Sequence, residues 1–263
     1  MGELPFNAER RSEPANQLNL LLSRAREIIA GTDRWARSEF RDEFAARVRA
    51  GEDPLGDRYT AIRSAADRRP QGVTLTPRRI VKAMIGWAEK ETRALGIPRR
   101  IVDPGAGTGR FAMAAASRFP EAEVVAVEND PDLLLLLRAN LRAAGLDRRV
   151  NVVPTDFRTL RLGPTAGPTL FTGNPPYVRH HGISPEWKQW YVETCAKHGI
   201  SASQLAGLHL HFFAHISAIG SDGDFGCLIT AAEWLDVGYG GALRSLLANG
   251  LGGAEIHILH PAA

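Results

Sequence analysis

Apolar residues recur at three- and four-residue intervals early in the chain: Leu18, Leu20, Leu21, Leu22, Ala25, Ile28 and Ile29, then Trp35, Phe40, Phe44, Ala45 and Val48. That spacing predicts helices with one apolar face, an amino-terminal helical segment over 1–70 packed on a larger body. Arg68, Arg69, Pro70, Gln71 and Gly72 read as a turn. A further helix is predicted from Pro77 through Ile80, Val81, Met84, Ile85 and Trp87, with proline suited to a first helical turn. Beyond Arg99 the pattern changes to short apolar, β-branched runs separated by helical periodicity. Strands are predicted at 100–103, 124–128, 150–154, 169–172, 225–230 and 255–259, and helices at 110–118, 131–143, 205–219 and 239–248. Alternation of this kind predicts an α/β fold, a parallel sheet with helices on both faces, over 71–263.

Composition narrows the class. Hydrophobic residues make up 44% and charged residues 23% of the 263 positions, ordinary for a soluble globular protein. The densest apolar run, Leu133 to Leu137, is flanked by Asp132 and Arg138 and falls far short of the roughly 18 residues a membrane helix needs. The start, MGELPFNAERRSEP, lacks the apolar core of a signal peptide, so a cytoplasmic location is expected. Cys195 and Cys227 make no disulfide framework. A net charge of +3 leans only weakly towards a polyanionic partner. No lysine precedes Lys82, which excludes an amino-terminal nuclease built on an Asp/Glu-x-Lys motif. His211 and His215 stand four apart with His209 nearby, but there is no zinc-protease glutamate and no third ligand, so no metal is expected.

The chemistry concentrates at strand ends. The first strand runs into DPGAGTGRF, Asp103 to Phe111, where Gly105, Ala106, Gly107 and Gly109 allow a tight turn and close approach of a nucleotide-like ligand to a helix amino terminus. Gly107, Gly109 and Ala112 with Glu128 also fit a looser dinucleotide pattern. Asp103, however, sits where a carboxylate suits an amino group and a sulfonium better than a pyrophosphate. Glu128 ends the second strand, placed to accept from ribose hydroxyls. Asp156 and Phe157 follow the third, where a carboxylate can accept from an adenine amino group while a ring packs on its face. Acids at the carboxyl ends of successive parallel strands line one crevice.

Asn174, Pro175, Pro176 and Tyr177 follow the fourth strand. An amino group conjugated to a ring is a poor nucleophile because its lone pair is delocalised. Accepting both its protons in hydrogen bonds favours a more tetrahedral nitrogen, and the Asn174 side-chain oxygen and Pro175 carbonyl can supply the two acceptors. Two prolines stiffen the turn, and Tyr177 can stack on the base. Arg179, His180, His181 and Lys188 come next and suit either phosphates or a solvated loop.

DPGAGTGRF, the Glu128 strand end, the TDF of 155–157, NPPYVR and the upstream TLTPRRIVKAM resemble the gamma-class DNA N6-adenine methyltransferases of restriction-modification systems, over roughly residues 70–259. The resemblance implies a Rossmann-like class I methyltransferase sheet and S-adenosylmethionine as cofactor. It implies that Thr76 and Pro77 help hold the methionine end, that Asp103 and the glycine loop hold the cofactor, that Glu128 binds its ribose, and that Asp156 and Phe157 bind its adenine. Asn174 to Tyr177 would form the clamp around a flipped-out base in duplex DNA. The glycine loop is a variant of the family's usual Pro-Ala-Cys-Gly. The family also places an antiparallel strand and a target-recognition domain after the strand corresponding to 255–259. Neither is found in this sequence, so a recognition or second-half subunit is an expected partner. Release-factor-type protein-glutamine methyltransferases share the helical front and the NPPY clamp and are the closest alternative, followed by RNA adenine methylation; a cofactor-binding subunit that needs a partner for DNA recognition is the alternative of a different class.

Overall fold

The computed structural model describes residues 6–32 and 39–259; Trp35, expected on an apolar helix face, lies outside them. Among the described residues five strands form one all-parallel sheet in the order β3-β2-β1-β4-β5: β1 Arg100–Pro104, β2 Glu123–Glu128, β3 Val150–Pro154, β4 Thr169–Gly173 and β5 Phe225–Leu228. The helices are α1 Phe6–Ala30, α2 Glu39–Arg49, α3 Pro54–Ile62, α4 Arg78–Leu95, α5 Arg110–Arg118, α6 Pro131–Ala144, α7 Pro185–Ala196, α8 Leu208–Ile219 and α9 Gly241–Asn249, with a few single-turn pieces between them.

The two-residue period of a strand sorts its side chains onto opposite faces. Ile101, Val124, Ala126 and Leu170 enter one core together with Val81, Met84 and Ile85 of α4 and Leu133, Leu136, Leu137 and Leu141 of α6. Val102, Val125, Val127 and Phe171 enter the other with Phe157, Phe212 and Ile216. Covered on both faces, β1 and β4 are buried along their whole length, as parallel strands with helical crossovers require. Helix α6 is well delimited. Asp130 caps it by accepting from the Asp132 and Leu133 amides, Pro131 opens its first turn, and Gly145 at φ 74 ends it.

Leu21, Leu22, Ala25 and Ile28 of α1 and Val48 of α2 join the first core, and α1 lies against α6. Leu20 and Phe40, read from sequence as part of the apolar face, stay 72% and 69% exposed. Leu20 is one position off the stripe of Leu21, Ala25 and Ile28, and Phe40 lies in the first turn of α2, ahead of the Phe44 and Val48 that reach the core.

Two expectations are corrected. No strand forms at 255–259: the stretch has no regular structure, and Ile256, Ile258 and Leu259 are exposed. Among the described residues β5 is paired only to β4, so this apolar alternation has no described strand beside it; Glu255 instead accepts from the Trp87 indole at 3.1 Å. The segment after the NPPY turn, where the sequence predicts no helix, contains α7. Among the described residues no helix is long and apolar enough to cross a membrane.

Candidate functional site

Sheet order reverses between β1 and β4, so the chain departs from those two strands in opposite directions and leaves a crevice at their carboxyl ends. One cavity there is lined by Thr74, Leu75, Thr76, Gly105, Ala106, Gly107, Thr108, Arg110, Phe111 and Asn174. Three segments far apart in sequence thus meet at one point.

The glycine loop between β1 and α5 is held from β2. The Ala106 amide donates to the Val127 carbonyl at 2.8 Å, and the Gly107 amide donates to Glu128 Oε2 at 2.7 Å. Gly105, Gly107 and Gly109 all have positive φ, a region in which a side chain is strained. A Cβ on Gly107 would stand 3.2 Å from Leu75, and one on Gly105 3.2 Å from Pro176. The loop is therefore a cradle made of bare backbone, pressed between the segment before α4 and the turn after β4.

Glu128 Oε1 also accepts from the Asn129 and Asp130 amides at 2.8 and 2.9 Å. Burial pushes its carboxyl up from the usual range, against the pull of these hydrogen bonds. An ionised carboxylate has about four acceptor positions, so room remains for a donor from a ligand such as a ribose hydroxyl. Asp103 lies beneath the loop, 1% exposed. Its Oδ2 accepts from the Ala112 amide at 2.9 Å, its Oδ1 has no hydrogen-bond partner among the described residues, and burial pushes it up to about 8. A buried acceptor left open below a backbone cradle suits a cationic or amino-bearing ligand, so the residues present fit a cofactor of that chemistry.

Asp156 is engaged within the protein. Arg158 donates to Oδ1 from Nε at 3.0 Å and to Oδ2 from Nη2 at 2.6 Å, while its guanidinium carbon stands 3.8 Å from the centre of the Trp187 ring. Burial raises the Asp156 carboxyl, but the hydrogen bonds and charge of Arg158 outweigh it and leave the group below its ordinary value. Phe157 is 2% exposed, its ring 4.9 Å from Phe212 and 5.0 Å from His215. It is a core residue here, not a face open to the crevice. Arg158 and Trp187 do not stand out in the sequence as an ion-pair partner and its lid; the Asp-x-Arg spacing is the one signal available.

The turn after β4 is fixed by its neighbours. Asn174 Nδ2 donates to Thr76 Oγ1 at 3.0 Å and to the Thr74 carbonyl at 3.2 Å. Two acceptors on one side decide which way the amide points, and Oδ1 is turned to the other side. There it accepts from the Tyr177 hydroxyl at 2.6 Å. Pro77 is the residue before α4 rather than inside it. The Tyr177 amide donates to the Gly72 carbonyl at 3.1 Å, and Gly72 has φ 68. A Cβ there would lie 2.5 Å from the Tyr177 nitrogen. Gly72, read only as part of a turn, is what lets the TLTP segment press on the NPPY turn. Pro175 is buried, and Arg179 and His181 are exposed beside the turn.

Behind Tyr177, α8 carries three buried histidines. His209 lies 5.7 Å from the Tyr177 ring, His211 stacks on Tyr191 at 4.5 Å, and His215 Nε2 lies 3.1 Å from the Leu160 carbonyl. Both ring nitrogens of His209 and of His211 have no hydrogen-bond partner among the described residues. Burial pushes the three down to about 4, 3 and 4, so they are neutral packing groups at neutral pH. Each has a folded pKa below its unfolded value of about 6.5, so the stability it contributes is complete above that value and is lost as pH falls from 6.5 towards 4. The urea midpoint is therefore expected to drop between pH 7 and pH 5. His211→Phe, which keeps the stack, should reduce the drop; an unchanged pH slope would show that these rings do not set it.

Comparison with known proteins agrees with this geometry. Residues 101–170 match a family described as a methyltransferase domain, and residues 171–259 match the Eco57I restriction-modification methylase family. The type II methyltransferase M.XamI of Xanthomonas campestris pv. amaranthicola is 52% identical over 209 residues, covering 80% of this chain and 37% of that protein. A release factor glutamine methyltransferase of Deinococcus radiodurans is 32% identical over 120 residues, 46% of this chain and 40% of that protein. The chain thus spans about two fifths of the length of these relatives. Among solved structures, a type I restriction-modification methyltransferase subunit from Streptococcus thermophilus aligns over 74% of this chain and 43% of its own with a TM-score of 0.53 and 16% identity, a likeness of fold. Residues 101–170 are thus similar to methyltransferase domains and residues 171–259 to restriction-modification methylases, and the α/β fold with its five-stranded parallel sheet is that of a Rossmann-like class I, S-adenosylmethionine-dependent methyltransferase.

Proposed function

We propose that this protein transfers a methyl group from S-adenosylmethionine to N6 of adenine in DNA, with the base rotated out of the duplex into the turn Asn174–Tyr177. The observation that carries the reading is the orientation of Asn174. Its amide nitrogen is tied to Thr74 and Thr76, so its oxygen is presented as an acceptor beside the glycine loop, with the Pro175 carbonyl next in the chain. Bound S-adenosylmethionine supplies an electrophilic methyl on a sulfonium. The protein's part is to hold the amino nitrogen in line and to draw its two protons into hydrogen bonds, which localises the lone pair for attack. Glu128 and the close-packed backbone of Gly105–Gly109 would hold the cofactor, with Asp103 beneath them, and Thr76 would border its methionine end. Asp156 would serve the cofactor adenine through the oxygen capacity that Arg158 leaves.

DNA is favoured over a protein amide by the extent of likeness: M.XamI matches 80% of the chain and the release factor enzyme 46%. Exposed Arg179 and His181 beside the turn suit phosphates. Recognition of a particular site is assigned to a partner subunit or further domain, in keeping with the greater length of M.XamI. The test supplies labelled S-adenosylmethionine with duplex DNA, RNA and a release factor in separate reactions and identifies the methylated product by mass spectrometry. N6-methyladenine in DNA is expected; methylglutamine in the release factor alone would replace the reading.

Gly72→Ala probes the support of the turn. The substitution places a side chain at positive φ, at about 1–2 kcal/mol, and drives its Cβ against the Tyr177 and Val178 backbone. Methyl transfer is expected to fall about tenfold or more, since small misplacements of reacting groups are costly, while affinity for S-adenosylhomocysteine changes little. Wild-type turnover would show that the turn tolerates the shift.

A further inference from the structure

We propose that Asp53, at the head of α3 and outside every motif named above, is a positioning residue for the cofactor loop, and that it makes the amino-terminal helices part of the methyl-transfer machinery. The proposal rests on the assignment of Gly105–Gly109 as that loop.

Asp53 is 4% exposed. Its Oδ1 accepts from the Gly56 amide at 2.9 Å and from Asn140 Nδ2 at 2.8 Å. Its Oδ2 accepts from the Thr108 hydroxyl at 2.5 Å and from Arg110 Nε at 2.8 Å. Capping α3 needs only the first of these. The other three reach the loop, two directly and one through Asn140, which also donates to the Thr108 carbonyl at 3.0 Å. Together they fill the about four acceptor positions of a carboxylate. A buried carboxylate is costly unless it is paired and fully hydrogen-bonded, and here both conditions are met by groups flanking Gly109. Gly56 makes the approach possible, because a Cβ on it would lie 2.0 Å from Asp53 Oδ2.

The linkage does not end at the loop. Arg110 Nη2 donates to Asp57 at 2.7 Å, and Nη1 donates to the Thr76 carbonyl at 2.9 Å. Thr76 Oγ1 is the acceptor that fixes Asn174. Asp53, Arg110, Thr76 and Asn174 are therefore joined by consecutive hydrogen bonds from the amino-terminal helices, past the cofactor loop, to the turn that presents the acceptor. A site held from behind in this way is set before its ligand arrives.

The test uses the full chain and S-adenosylhomocysteine as probe, with calorimetry at a temperature where every variant is folded and urea unfolding without ligand. Asp53→Asn keeps shape and the helix cap but turns a donor towards Arg110 or Thr108. Arg110→Met removes the link to Thr76 from a half-buried position and guards against a folding failure of the first variant. Each is expected to weaken binding about tenfold or more. The double variant should be no weaker than the worse single one, as for residues acting through one hydrogen-bond network. Urea midpoints that fall while affinity stays within twofold would reduce Asp53 to a structural clasp and overturn the proposal, as would additive effects. Wild-type protein that binds no S-adenosylhomocysteine would instead overturn the cofactor assignment itself, and the two failures are told apart by the unsubstituted chain.

Discussion

Replacing Asn174 with alanine is expected to cut single-turnover methyl transfer by about 100-fold or more, the scale for removing one preorganised polar group aimed at a reacting centre. Affinity for S-adenosylhomocysteine should stay within a few-fold, because the glycine loop is held from Val127 and Glu128 and not from Asn174. The substitution deletes both functions of the amide: the oxygen turned towards the incoming nitrogen and the two donated hydrogen bonds, to Thr74 and Thr76, that aim it. Tyr177→Phe is the companion variant. It removes the hydroxyl from Asn174 but keeps a ring able to stack, so it should retain most of the rate. Rapid transfer by Asn174→Ala would mean that some other acceptor activates the nitrogen.

Glu128→Ala should abolish cofactor binding that calorimetry can detect, a loss of about 100-fold or more. Its carboxylate accepts from the amides of Gly107, Asn129 and Asp130, and hydrogen bonds to a charged group are worth roughly 1.5–3 kcal/mol each. At about 1.4 kcal/mol per tenfold, removing a single hydrogen bond to the loop together with one to the ligand already reaches that figure. Glu128→Gln keeps one acceptor oxygen and should fall between. Binding within about fivefold of wild type in the alanine variant would show that the loop holds its shape unaided and that the cofactor makes no essential hydrogen bond there.

The parts of the fold that read clearly from sequence are those where one signal dominates. β1, β2 and β3 are short apolar runs ended by glycine, acid or proline, and α6 has its cap, its Pro131 and its leucines in order. Helix α7 is hidden in the sequence because its aromatic residues do not fall on one stripe: Tyr191 and Cys195 are buried while Trp187 and Trp190 are half-covered. The 255–259 run resembles a strand because alternation describes side chains, whereas a strand also needs a paired neighbour. In the site, Asn174, Glu128 and the glycines are legible since each sits at a strand end. The Asp53 hydrogen bonds with Thr108 and Arg110 are not, for they join residues 55 and 57 positions apart and leave no periodic trace.

The hydrogen bond between Tyr177 and Asn174 has a consequence for selectivity. Its acceptor is not idle at rest: a phenol from the same turn already occupies it. On the proposed reading an incoming amino group takes the second lone pair of that oxygen, so the tyrosine leaves it one direction of approach. Water in that position gains a single hydrogen bond and nothing more. A flat aromatic amine makes the hydrogen bond and also gains the face of the neighbouring ring, worth about 1–3 kcal/mol for a nucleic-acid base. The tyrosine thus screens candidates by whether they carry a ring and a donor together, before any methyl group is committed.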